Sequence, residues 1–168
     1  CDIGQESVME AKDEYVQILV NTLEKQNEVL RQVMCITERQ AEIAGREPFD
    51  EELLNETLEQ KELLIAKLNQ LDDGFATVFG RVRVEINENR ERYAVQLKNI
   101  QELIRESTDI GNALRVLEQR NYDRLVGCFA GKKREYEGRQ TAADVASRYH
   151  KTMYRFADGS SRYFNEKN

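Results

Sequence analysis

Tryptophan is absent from this chain, and among its 168 residues proline and histidine occur once each (Pro48, His150) and cysteine three times. With one proline and nine glycines, little can interrupt a helix. A single histidine excludes a Ser-His-Asp triad, a histidine pair or a histidine-based zinc site. The sequence also has no Glu-x-x-His motif of the di-metal bundles, no GxGxxG or GxxxxGK[ST] phosphate loop and no GxSxG elbow. The expectation is a protein without enzymatic activity, cofactor or metal. His150 stands beside Tyr149 on a basic segment and reads as a surface residue. Carboxylate pairs such as Glu51/Glu52, Asp72/Asp73 and Glu85/Glu88 read as solvated helix faces.

Cys1, Cys35 and Cys128 form an odd set with no CxxC and no metal spacing, which argues against a disulfide scaffold and suits a reducing compartment. Cys35 and Cys128 lie among apolar residues and are expected to be buried. Long hydrophobic runs are missing too. No stretch approaches the ~18–20 apolar residues of a membrane span, and the densest, 15–20, is interrupted by Gln17. The chain starts without Met, which reads as a fragment or a processed product. A leading cysteine also admits a lipidated, membrane-anchored lipoprotein.

What the chain has is charge and periodicity. Charged residues make up 33%, hydrophobic residues 40% and aromatics 8%, enough for a narrow seam between helices but not for a thick core. The net charge of −6 is unevenly placed. Residues 1–130 carry 16 Lys/Arg against 26 Asp/Glu, a net of −10, and residues 131–168 carry 9 against 5, a net of +4. An acidic body would repel phosphates, so no nucleic-acid partner is expected. The basic tail reads either as an interaction segment or as a segment that folds back on the body.

Apolar residues recur at three- and four-residue spacing almost end to end. The fold class this predicts is all-α: an elongated antiparallel three-helix bundle or coiled coil with a short C-terminal amphipathic helix or tail. The first helix is predicted over 5–44, with Val16, Leu19, Leu23, Leu30, Val33 and Ala44 on one stripe. Gln26, Thr37 and Gln40 share that stripe and make the seam imperfect. Gly45 and Pro48 end it. Asp50 as cap, Glu51 and Glu52 at the positive end of the dipole, and Phe49 stapled onto Leu54 predict the start of the second helix. Its stripe is Leu54, Leu58, Leu64, Leu68, Leu71, Phe75, Val78, Val82 and Ile86, with Gly74 and Gly80 read as a kink or a close approach.

Helices of comparable length would bury their stripes best. The predicted second turn is therefore 87–89, where Asn87 and Asn89 can supply a left-handed stop and a new cap; the competing break is at 107–111. The third helix is predicted over 90–137, ending in Lys132, Lys133 and Arg134. These boundaries give two parts, 1–137 as helical bundle and 138–168 as C-terminal amphipathic helix and tail. Thr141 and Asp144 resemble a capping box, and a helix over 142–157 would align Val145, Tyr149, Met153 and Phe156.

Two apolar surfaces are candidates for partner binding. One is the third-helix face of Leu114, Leu117, Leu125 and Phe129, which also suits plain bundle core. The other is the tail stripe of Tyr149, Met153 and Phe156, a surplus apolar element that must dock on the body, a second copy or a partner.

Several segments resemble a known family. They are 23–30 (LEKQNEVL), 59–64 (EQKELL) and 109–114 (DIGNAL), followed by a tail in which Tyr154 stands five residues before Gly159. Over residues 15 to about 130 the chain resembles the FlgN family of flagellar type III export chaperones. That resemblance implies a cytoplasmic, non-enzymatic chaperone in flagellar biogenesis and protein export. Its partners would be hook–filament junction proteins and the export gate. Helix-in-groove packing on the third helix would hold the client, and the tail, Tyr154 included, would touch client or gate. The alternative from the residues alone is a structural coiled-coil protein, either a homodimeric spacer or, with a lipidated Cys1, an anchored lipoprotein.

Overall fold

The computed structural model describes residues 3–130. They form three helices, α1 (Ile3–Ala44), α2 (Glu51–Glu88) and α3 (Ala94–Ala130), and contain no strand. At ~1.5 Å per residue their 42, 38 and 37 residues make rods of similar length. This is the predicted three-helix bundle. The predicted extension of α3 to 137 and the tail helix over 142–157 lie outside the described residues.

Local chemistry sets the breaks. Gly45 closes α1, its N–H shared between the Ala41 and Glu42 carbonyls at 3.2 Å each. Asp50, extended at φ −92° and ψ 93°, caps α2 by accepting from the Leu53 N–H at 3.0 Å. Phe49 packs against the apolar cluster that contains Leu54, as a hydrophobic staple requires.

The second turn lies at 89–93, next to the predicted site; Ser107 of the competing break is buried inside α3. Its mechanism differs from the expected left-handed stop. Asn89 has φ −123° and ψ 45°, and no described non-glycine residue has a positive φ. Asn89 instead ends α2 with its side chain, whose Nδ2 donates to the Glu85 carbonyl at 3.2 Å and to Glu85 Oε1 at 3.1 Å. The Tyr93 carbonyl opens α3 by accepting from the Leu97 N–H at 2.8 Å. Gly74 and Gly80 admit no close neighbour: a Cβ at either would meet nothing within 4 Å.

Pairings along the bundle fix its directions. Lys12 meets Glu85 and Gln40 meets Thr57, so α2 runs antiparallel to α1. Asp13 meets Arg92 at one end, and the Cys128 thiol lies 3.9 Å from the Ala44 carbonyl at the other, so α1 and α3 are parallel. α1 packs against both other helices. Among the described residues, however, no Cα of α2 lies within 8 Å of a Cα of α3.

The core is two apolar clusters. One joins Val29, Leu30, Val33 and Ile43 of α1 to Leu54, Leu58, Ile65 and Leu68 of α2 and Leu114 and Leu125 of α3. The other joins Val16, Leu19, Val20 and Leu23 to Phe75, Val82 and Ile86, with Tyr93 and Ile100. Between the clusters in sequence stand buried Gln26 and Asn27 on α1 and buried Ser107 on α3. Asn27 Nδ2 donates to the Leu103 carbonyl at 3.0 Å and so ties α1 to α3 there.

Candidate partner-binding face and the polar layer behind it

The apolar residues expected to bind a partner fall on α3, and the bundle uses two of them internally. Leu114 and Leu125 are buried, at 0% and 3% exposure, and Leu117 is half-buried. Phe129 falls in the last turn of α3. Tyr149, Met153, Tyr154 and Phe156 lie outside the described residues, as does His150.

Between Leu114 and Leu125 the inner face of α3 turns polar. Glu118 and Asn121 are both buried, opposite Thr37 and Gln40 of α1 and Thr57 and Lys61 of α2. Lys61 Nζ pairs with Glu118 Oε1 and donates to Gln40 Oε1 at 3.1 Å. Gln40 Nε2 donates to Thr57 Oγ1 at 3.3 Å. Thr37 Oγ1 donates to the Val33 carbonyl at 2.7 Å and reaches Glu118 Oε1 at 3.4 Å. Asn121 Nδ2 donates to the Thr37 carbonyl at 3.0 Å. One layer thus links all three helices.

The electrostatics of this layer follow from burial. Loss of hydration draws the Lys61 ammonium from its ordinary value near 10.5 down to about 7. From α1 the groups facing it, Thr37 and Gln40, are uncharged. From α3 it meets Glu118, with half-buried Arg115 one turn earlier. Elsewhere, partial burial raises the Asp72 carboxyl, and neighbouring Asp73 adds to the rise.

Cys35 is exposed rather than buried, and Cys128 is half-buried. The reason is helical phase: Val33 and Thr37 face inward, and a residue ~200° from Val33 faces out. Among the described residues no cluster of three or more His, Cys, Asp or Glu is placed to hold a metal ion. No described helix is long and apolar enough to cross a membrane.

Lys61, Glu118 and Asn121 are the residues that sequence reasoning missed. Their signal is register. Lys61 stands three residues after Leu58 and four before Ile65, while Glu118 and Asn121 fill the four-three-four spacing from Leu114 to Leu125. No family model matches the chain, and neither curated proteins nor solved structures provide a significant match.

Proposed function

We propose that the chain is a cytoplasmic, non-enzymatic chaperone of flagellar type III export, as its resemblance to the FlgN family implies. In this reading it holds the amphipathic C-terminal helix of a hook–filament junction protein until delivery to the export gate. One observation carries most of the support: the backbones of α2 and α3 stand apart, each packed on α1, with the Lys61–Glu118 side chains linking them. Helix-in-groove binding needs an apolar groove that can take the apolar face of an amphipathic helix. Leu114, Leu117 and Leu125 supply an apolar strip for it, and the basic, tyrosine-rich tail adds a second contact for client or gate.

The polar core positions of α1, Gln26, Asn27, Thr37 and Gln40, weigh against a homodimeric spacer, which needs a continuous apolar seam. The test is reconstitution. The full chain, mixed with a hook–filament junction protein encoded in the same genome, should elute with it as a stoichiometric complex. Loss of the junction protein's C-terminal helix should abolish the complex. Separate elution of the two intact proteins would count against the proposal.

A further inference from the structure

We propose that the Lys61–Glu118 layer is a conformational clasp, which when closed holds α3 against α2 and when open bares Leu114 and Leu125. Four observations support it. The paired side chains come from the two helices whose backbones do not approach, so they bridge a gap that helix packing leaves. The layer lies inside one apolar cluster, with Leu54, Leu58 and Ile65 around Lys61 and Leu114 and Leu125 flanking Glu118. The ion pair beside the other cluster, Lys12–Glu85, is partly open to solvent, whereas Lys61–Glu118 is closed off from it. Asn121 Oδ1, also buried, has no hydrogen-bond partner among the described residues, so even the closed layer is incompletely satisfied.

Physical chemistry gives such a layer its two-state character. Two charges withdrawn from water attract strongly only while water stays out, so water entering between them screens the pair and hydrates both ends together. The half of the bundle built on this layer should therefore open as a unit, ahead of the half built on Phe75, Val82 and Ile86, whose Lys12–Glu85 pair keeps contact with water. Burial lowers the Lys61 ammonium toward neutral pH, which is the desolvation cost that the pair has to offset. The regulatory meaning of the clasp, exposing the α3 strip to a client, rests on the chaperone reading; the opening itself does not.

Native-state hydrogen exchange on the full chain without a client tests it. In wild type, amides of 57–65 and 114–121 should exchange at least tenfold faster than those of 78–86 and 97–104. In Lys61→Met/Glu118→Leu, protection of the first two segments should rise at least tenfold, with the other two within threefold. Protection falling in the double variant, or changing evenly along the bundle, would overturn the clasp. If the double variant fails to fold, the wild-type comparison decides, and equal exchange in both halves would overturn it. A missing junction-protein complex would leave this exchange result unaffected, so the two proposals fail separately.

Discussion

Lys61 of α2 and Glu118 of α3 form an ion pair in which both side chains are nearly inaccessible to water, between two helices whose backbones remain apart. Removing one partner leaves a buried charge uncompensated. At pH 6, where Lys61 carries its proton, Lys61→Met alone should cost about 3–5 kcal/mol in denaturant unfolding. Lys61→Met/Glu118→Leu should return to within about 2 kcal/mol of wild type, because no charge is then stranded. Equal losses in the single and double variants would show that the pair carries no such coupling.

Burial of Lys61 makes stability depend on pH. An unfolded chain keeps Lys61 protonated up to about 10.5, whereas the folded bundle releases that proton near 7. Between these values the unfolded state binds the extra proton, so Lys61 makes unfolding free energy rise with pH, by at most about 1.4 kcal/mol per unit. Below about 7 this contribution is lost. Denaturant titrations from pH 6.5 to 9.5 should show the rise in wild type relative to Lys61→Met. Parallel curves would contradict it.

Gly74 and Gly80 lie on the exposed side of α2, where a Cβ meets no neighbour within 4 Å. Gly74→Ala and Gly80→Ala should each stabilise the bundle by about 0.5–1 kcal/mol, through the helix preference of alanine alone. Thermal unfolding measures this, and a loss at either position would mean that the glycine serves a contact made outside the described residues.

Much of this fold is legible from spacing. Leu54, Leu58, Leu68, Phe75, Val82 and Ile86 are predicted for the inner face of α2, and all are buried. Leu64, Leu71 and Val78 share the predicted stripe but are half-buried, since the buried seam repeats every seven residues through Leu54, Lys61, Leu68, Phe75 and Val82 and through Leu58, Ile65 and Ile86, and these three stand on its flank. Gln26, Thr37 and Gln40 are read as seam residues and are buried. Lys61 and Glu118 escape such reading because charge marks a residue for solvent by default, and only the tertiary fold brings the compensating partner from a distant helix. The left-handed stop expected at Asn89 fails for a similar reason: its amide finds Glu85 one turn back, and the backbone needs no positive φ.

Removing residues 141–168 should leave the bundle folded, because residues 3–130 contain both apolar clusters. Circular dichroism per residue and cooperative unfolding should persist, while affinity for the junction protein falls. Tyr149→Ala/Met153→Ala/Phe156→Ala in the full chain should reproduce the loss of affinity, since their spacing in the sequence predicts one apolar stripe. An unfolded deletion product would instead place the tail in the core.

The central claim is that a client helix is held on the inner face of α3. Hydrogen exchange of the full chain, with and without a hook–filament junction protein from the same genome, tests it most directly. The account predicts that the client slows exchange at least tenfold over 114–125 and leaves 78–86 unchanged. An unaltered α3 in the presence of bound client, or protection confined to α1, would contradict it.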